Sequence, residues 1–235
     1  MDPTLHPPDC LEAQPAPRGA SGIVCVFAKA PEPGRVKTRL APVLGAAWAA
    51  DLAGAFLVDT WHNIVDLPSA RPVLVLSGAG RLPELHPPPT IWPQGDGDLG
   101  ARLERGLRCA LASAPWALAI GTDSPGLPRQ RIEDACAALS SGAPSVIGPS
   151  EDGGYYLIGL RRCPEGLFDD LPWSTSQVFA HTVERLRRHR LDPVVLDAWY
   201  DVDEPSDLAR LRSDLVSGAI EAEATLKALR RKARR

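Results

Sequence analysis

The sequence is short of the residue patterns that mark zinc-binding, secreted and membrane proteins. Its five cysteines are spread singly, without any pair at CxxC spacing, so a site built on thiolate ligands is not predicted. The N-terminus lacks the basic segment and apolar run of a secretory signal. No stretch approaches the ~20 apolar residues of a membrane helix. We therefore expect a cytoplasmic protein without membrane insertion.

The charge balance also excludes a class of partner. The sequence has 26 Lys and Arg against 29 Asp and Glu, a net charge of -3. Proteins that bind nucleic acid normally carry a strong basic excess, so nucleic acid is not an expected partner. An apolar fraction of 44% is enough for a substantial core. A homodimer is among the oligomeric states that this composition allows.

The length of 235 residues suits one domain with loose ends. Residues 1–20 are rich in proline and poor in residues that could pack, which predicts a disordered tail. The domain is expected over 21–215, and 216–235 is expected to form a basic C-terminal helix or tail.

Hydrophobic periodicity predicts alternating strands and helices. The apolar runs that predict strands are 23–28, 72–77, 116–120, 145–148, 155–160 and 193–202. Helical spacing covers 44–65, 98–112, 128–139 and 175–190, and a further helix begins at 205. Such alternation favours a mainly parallel sheet covered on both faces, with a mixed region near residue 150. Ligands of such sheets bind at the carboxyl ends of the strands.

A basic loop follows the first predicted strand. Its cationic side chains are Lys29, Arg35, Lys37 and Arg39, and Gly34 could let the backbone approach a ligand closely. Arg offers forked donors and Lys a compact charge for phosphate groups. A solvated charged loop is the alternative, but the position directly after a buried strand favours phosphate binding.

Two acidic segments also follow predicted strands. Asp123 comes after 116–120 and could bind Mg²⁺ or Mn²⁺ through its carboxylate, or form a turn or helix cap. Asp201 and Asp203 alternate along an extended chain, so both could face one ligand. Asp203 could complete a metal shell begun by Asp123, although Asp203 or Glu204 could also cap the helix that Pro205 opens.

A glycine turn with acidic neighbours separates the strands near residue 150. Glu151, Gly153 and Gly154 are candidates for binding an acceptor, and Asp152 is a candidate general base. An ordinary glycine turn is an equal alternative.

Two helix starts carry further candidates. Asp98 is a plausible N-cap of a helix whose N-terminus favours anions, which makes it a candidate near the nucleotide phosphates. Trp173 and Ser174 are candidates for acceptor binding, and Ser174 also has the character of an N-cap.

Six motifs together resemble a known family. They are FAKAPEPGRVKTRLAP, QGDGDLGARL, GTDSPGLP, GPSEDGGYYLIGL, PWST and DVDEPSDL. In this order they are similar to a bacterial family of glycosyltransferase-A-like proteins, some of which are described as arsenosugar biosynthesis glycosyltransferases. The resemblance runs from about residue 24 to about residue 211. Its relatives in fold include sugar-nucleotide transferases and nucleotidyltransferases.

The resemblance implies a fold, an activity and a cofactor. The fold is a three-layer α/β/α sandwich of the nucleotide-diphospho-sugar transferase kind, with the loop from Lys29 to Arg39 over the nucleotide phosphates. Asp123 takes the place of the metal-binding aspartate, so Mg²⁺ or Mn²⁺ is expected. The superfamily usually shows Asp-x-Asp there, whereas this chain has Thr122-Asp123-Ser124, so Asp203 or ligand oxygens would complete the shell.

The activity implied is metal-dependent glycosyl transfer from a nucleoside-diphosphate sugar to an unidentified small-molecule acceptor. For this activity we expect Asp123 and Asp152 to be the catalytic residues. One alternative is nucleotidyl transfer from a nucleoside triphosphate to a phosphorylated acceptor. Another is a non-catalytic nucleotide-binding protein.

Overall fold

The computed structural model describes residues 22–233, and the tail predicted over 1–20 lies outside these residues. The strands are β1 Gly22–Lys29, β2 Ala70–Ser77, β3 Ile91–Pro93, β4 Ala117–Ile120, β5 Ser145–Pro149, β6 Tyr155–Leu160 and β7 Pro193–Val195. The helices are α1 Ala41–Leu44, α2 Ala46–Ile64, α3 Leu99–Leu111, α4 Arg129–Ser140, α5 Val178–Arg188, α6 Pro205–Ser217 and α7 Glu223–Ala233.

The strands form a single mixed sheet in the order β3-β2-β1-β4-β6-β5-β7. Strands β3, β2, β1 and β4 are parallel neighbours, β6 runs antiparallel to both β4 and β5, and β7 is parallel to β5. The predicted mainly parallel sheet with a mixed region is therefore confirmed. The antiparallel pair β5 and β6 is the mixed region expected near residue 150.

Helices cover both faces of the sheet. Because side chains alternate along a strand, Val24 of β1 packs into a core with α2 and α4, whereas Cys25 packs into the opposite core with α3 and α5. Trp61 fills the first core and Phe168 the second, and both are almost fully buried. The layers are helix, sheet and helix, as the resemblance implied.

The C-terminal segment is joined to the domain through α2. Residues of α2, α6 and α7 form a third apolar cluster, and Asp59 of α2 accepts hydrogen bonds from the backbone N–H groups of Ala224 and Thr225 at 2.9 and 2.8 Å. Ala222, which precedes α7, has no side chain able to cap the helix, and Asp59 supplies that oxygen from another helix. The segment predicted as a basic C-terminal helix or tail thus contains a helix packed on the domain.

Two strand predictions were wrong. Strand β3 was not among the predicted strands, and the strand predicted over 193–202 ends at Val195. The early end of β7 is explained by β5, the strand with which it pairs. The register between β5 and β6 shifts at Gly148 and Pro149, and the proline has no N–H to extend a ladder. Beyond Val195 the chain keeps only isolated contacts with β5, such as Trp199 N–H to Pro149 O at 3.0 Å.

None of the helices within 22–233 is both long and apolar enough to cross a membrane.

Candidate active site

Strands β1 and β4 lie side by side in parallel, with Val26 opposite Ile120. Their carboxyl ends therefore bring the basic loop and the segment around Asp123 together. A cavity of about 230 Å³ opens between them. The charged and polar side chains that line it are Lys29, Arg35, Lys37, Thr122, Asp123 and Asp203. Three of the predicted phosphate-binding residues and both predicted metal ligands thus surround one space.

Lys37 is the centre of this cluster. Its side chain is only 6% exposed, and its ammonium forms ion pairs with Asp123 and, at 2.8 Å, with Asp203. It also donates a hydrogen bond to the backbone oxygen of Val202 at 2.9 Å and lies 5.3 Å from the ring centroid of Phe56. The sequence predicted Lys37 as a phosphate ligand, and its role as counter-ion of both aspartates was not foreseen.

The two aspartates keep the Lys37 ammonium charged. Burial lowers the pKa of Lys37, but attraction to Asp123 and Asp203 outweighs burial and raises the pKa above its ordinary value. The backbone of Lys37 has φ 45°, in the left-handed region that a residue with a Cβ rarely adopts. Its side chain is therefore directed by a backbone conformation that costs free energy.

The other basic residues differ in their surroundings. Lys29 and Arg35 line the cavity, and Arg35 forms an exposed ion pair with Glu32 at 3.4 Å. Arg39 lies outside the lining and forms an exposed ion pair with Glu204 at 3.7 Å. Gly34 has φ 78°, and a Cβ added there would meet nothing within 4 Å. The turn conformation, rather than a contact within the chain, explains glycine at this position.

Asp123 and Asp203 form a donor set that a divalent cation can use. Both carboxylates reach one cation, the ammonium of Lys37, although their side chains are 52% and 45% exposed. Oxygen donors suit Mg²⁺ and Mn²⁺. Within 22–233 no group of three or more His, Cys, Asp or Glu side chains could hold a metal. A bound donor and water would therefore have to supply the remaining ligands.

Asp203 keeps its carboxylate for Lys37 because other groups complete the start of α6. Glu204 is the N-cap residue, and the carboxylate of Asp207 accepts from the backbone N–H groups of Asp203 and Glu204 at 3.1 and 2.7 Å. The capping role that the sequence left open between Asp203 and Glu204 thus falls to Glu204. Asp123 does not cap α4, whose N-cap is Pro128.

Asp201 serves a different partner from Asp203. The hydroxyl of Ser124 donates a hydrogen bond to the Asp201 carboxylate. Burial raises the pKa of Asp201 to about 6, the nearby hydroxyls of Ser124 and Ser150 partly oppose this, and the charges of Asp123 and Asp152 add to it. Asp201 thus joins the segment of Asp123 to the turn of Asp152. Ser124 was not predicted as a site residue, although its position next to Asp123 in the sequence could have indicated it.

The predicted acceptor residues of the glycine turn lie against a later segment. A Cβ on Gly153, which has φ 90°, would lie 2.2 Å from the backbone oxygen of Ser176. The carboxylate of Asp152 accepts from Gly154 N–H at 2.9 Å and is exposed. Glu151 is held by Arg210 through two hydrogen bonds of 2.6 and 3.1 Å. This ion pair lowers the pKa of Glu151.

The remaining candidate residues lie at the start of α3 and in the segment before α5. Asp98 is the N-cap of α3 and accepts from Ala101 N–H at 2.9 Å, as predicted. The prediction that Ser174 caps the next helix was wrong, because α5 begins at Val178 and has Gln177 as its N-cap. The hydroxyl of Thr175 instead bonds locally to Pro172 O and Gln177 N–H, which delays the helix. Trp173 packs edge-on to Tyr155 with ring centroids 6.3 Å apart.

Comparison with known proteins identifies the family. The family model described as "Uncharacterized protein conserved in bacteria (DUF2064)" matches residues 61–175. A crystal structure of a provisionally assigned nucleotide-diphospho-sugar transferase from Desulfovibrio desulfuricans G20 is 33% identical, with a TM-score of 0.80 over 91% of this chain and 96% of that chain. None of the curated proteins compared with the chain matches it.

More distant structures share the fold alone. CMP:2-keto-3-deoxy-manno-octonic acid synthetase complexed with CTP is 12% identical, with a TM-score of 0.53 over 85% of this chain and 100% of that chain. A homologue of Mycobacterium tuberculosis Rv0371c from Mycobacterium sp. strain JC1 is 20% identical, with a TM-score of 0.51 over 83% and 97%.

Fold and comparisons together define a transferase with the GT-A-like fold, in a group of enzymes that use nucleotides. Within this class the chain belongs to the same family as the Desulfovibrio protein, which is provisionally described as a nucleotide-diphospho-sugar transferase and is similar over 91% of this chain. The DUF2064 family model matches residues 61–175 of this chain.

Proposed function

We propose that the protein transfers a glycosyl group from a nucleoside-diphosphate sugar to a small-molecule acceptor with the help of Mg²⁺ or Mn²⁺. The observation that carries this proposal is the meeting of Lys29, Arg35 and Lys37 with Asp123 and Asp203 around one cavity. Cations suit a diphosphate, and paired carboxylates suit the divalent ion that accompanies it. The similar Desulfovibrio protein, described as a nucleotide-diphospho-sugar transferase, supports the same class of donor.

The acidic and basic residues of the cavity have different roles in this proposal. Asp123 and Asp203 would hold the ion, which when bound supplies positive charge against the leaving diphosphate. Lys29, Arg35 and Lys37 would share that charge, and such electrostatic stabilisation is often the largest catalytic contribution. Arg39 is on the same loop and Asp98 is the N-cap of α3, and we propose that both contact the nucleotide.

We propose that the acceptor binds at the turn that contains Asp152. The turn of Glu151, Gly153 and Gly154 packs on the segment that follows Trp173 and Ser174, and we propose these residues as the acceptor surface. Asp152 is exposed there, its charge acts on Asp201, and it is our candidate base for the acceptor hydroxyl.

Nucleotidyl transfer is the second candidate, and one observation favours it. Asp203 comes 80 residues after Asp123 in the sequence (203 − 123), and both carboxylates pair with the ammonium of Lys37. A late aspartate that joins the first is what the resemblance implies for nucleotidyltransferases. In that reaction a phosphorylated acceptor attacks the α-phosphate of a nucleoside triphosphate and pyrophosphate leaves.

Product analysis separates the candidates. The purified protein is incubated with Mn²⁺ and either nucleoside-diphosphate sugars or nucleoside triphosphates, together with mixed hydroxylated and phosphorylated small molecules. A glycosylated product with free nucleoside diphosphate supports the first proposal. Pyrophosphate and a nucleotidylated product support the second. Nucleotide binding without any product from either donor class would contradict both and indicate a non-catalytic binding protein.

A further inference from the structure

Lys37 occupies the position that a metal ion would need. Its ammonium contacts Oδ1 of both Asp123 and Asp203, and a backbone oxygen and an aromatic ring hold it from other sides. The Lys37 side chain is 6% exposed, and four groups hold its ammonium. A divalent cation can use these two carboxylate oxygens only if the ammonium moves away from them.

The charges make that displacement costly when no donor is present. Two carboxylates and one ammonium leave a net charge of -1, by simple addition of their formal charges. A divalent cation would neutralise the carboxylates but leave a buried ammonium without a counter-ion beside it. Diphosphate removes this cost, because its oxygens offer the ammonium a new partner. Lys29 and Arg35 line the same cavity and would hold the diphosphate within reach.

We propose that Lys37 makes metal binding conditional on the donor. In the donor-free protein its ammonium holds Asp123 and Asp203. When the donor diphosphate enters, the ammonium transfers to the phosphate oxygens and frees both carboxylates for the divalent cation. This inference rests on the proposed function, and Lys37 acts on the metal as a positioning residue. Linkage then requires that metal and donor strengthen each other's binding by the same factor.

Lys37→Met tests the proposal by a gain of binding. The side chain keeps its length but loses the charge that competes for the carboxylates. Mn²⁺ binding is measured without any nucleotide, from the electron paramagnetic resonance signal of the free ion. We expect Lys37→Met to bind Mn²⁺ at least about tenfold more tightly than the wild type. Adding Asp203→Asn to Lys37→Met should abolish the gain, because one of the two freed carboxylates is then missing.

Arg35→Met is the matched control. It removes one positive charge from the same loop and cavity, but Arg35 pairs with Glu32 and touches neither aspartate. We expect its Mn²⁺ affinity to differ from wild type by less than about twofold, because exposed charges interact weakly. Lys37→Gln is a second variant that retains a polar group for Val202 O. If circular dichroism shows that Lys37→Met does not fold, Lys37→Gln takes its place in the comparison. The Mn²⁺ affinity of Lys37→Gln should also rise.

The proposal is overturned if the folded Lys37 variants bind Mn²⁺ no more tightly than the wild type, or if Arg35→Met gains as much as they do. This comparison contains no nucleotide, so its failure is distinct from failure of the proposed function. Absence of nucleotide binding to the wild type would count against the proposed function and leave the comparison of Mn²⁺ affinities intact.

Discussion

Asp201 and Asp203 are two residues apart, yet their carboxylates have different partners. Asp203 pairs with Lys37, whereas Asp201 accepts from Ser124 and has a pKa of about 6. The period of an extended chain indicated that both could face one ligand, but it could not specify the partner of either carboxylate. The partners come from segments 166 and 77 residues away, and a local pattern cannot specify contacts at such separations.

The raised pKa of Asp201 predicts a pH dependence of stability. Its folded-state pKa of about 6 lies above the ~3.9 of an unfolded Asp, so the folded protein binds the proton more tightly. The resulting stabilisation is complete below about pH 4 and is lost as the pH rises through about 6. Relative to Asp201→Asn, the wild type should lose on the order of 1 kcal/mol between pH 5 and pH 7. Urea unfolding of both proteins at the two pH values measures this. An unchanged difference would contradict the assignment.

The basic loop shows what sequence could predict at the residue scale. Phosphate binding by Lys29, Arg35 and Lys37 was inferred from their position after β1, and the structure brings them to one cavity, though their role awaits test. The pairing of Lys37 with both aspartates could not be inferred, because it depends on the left-handed backbone at Lys37 and on the side-by-side placement of β1 and β4.

At the scale of elements, α7 depends on a carboxylate from α2. Asp59 is 7% exposed and accepts from the first free N–H groups of α7. Asp59→Ala should lower the free energy of unfolding by about 1–3 kcal/mol, because it leaves those N–H groups unpaired. Asp51→Ala on the same helix is the matched control. Asp51 forms an exposed ion pair with Arg231 at 3.4 Å, so its loss should cost at most about 1 kcal/mol. Equal losses in urea unfolding would refute the capping role.

The turn between β5 and β6 depends on a glycine at a close approach. Gly153 and Gly142 both have positive φ values, but a Cβ would meet the backbone of Ser176 at 2.2 Å only at Gly153, with open space at Gly142. Gly153→Ala should therefore destabilise the protein more than Gly142→Ala, by about 1–3 kcal/mol. Thermal unfolding of both variants tests this. Similar melting temperatures would mean that the segment after Trp173 moves away at little cost.

Element prediction succeeded where local signals and packing agreed. Strands β1 and β4 and helices α2, α3 and α4 match apolar periods in the sequence, and Asp98 marks the start of α3. It failed where tertiary contacts decide. The short β3 forms only because β2 offers a parallel edge, and the last strand ends where Pro149 interrupts its partner.

At the scale of the whole molecule, the strand order explains why the site lies where it does. Strand β1 lies between the parallel strands β2 and β4, and β4 has an antiparallel neighbour, β6, on its other edge. The cavity at the carboxyl ends of β1 and β4 is thus at the junction of the parallel and mixed halves of the sheet, and the turn of Asp152 belongs to the mixed half. The family resemblance predicted this architecture, which periodicity alone would have left as one of several α/β folds.

We propose that the cavity between β1 and β4 binds a nucleoside diphosphate together with a divalent ion. Thermal unfolding with UDP, GDP, dTDP or CDP, with and without Mn²⁺, tests it most directly in the wild type, Asp123→Asn and Asp192→Asn. Asp192 is the control, because its side chain is 82% exposed and lies beyond α5.

We predict that one diphosphate stabilises the wild type only with Mn²⁺, by about 2.7 kcal/mol at a hundred times its dissociation constant. Asp192→Asn should show the same stabilisation, and Asp123→Asn should lose it. No stabilisation by any diphosphate, or equal stabilisation of Asp123→Asn, would contradict the account.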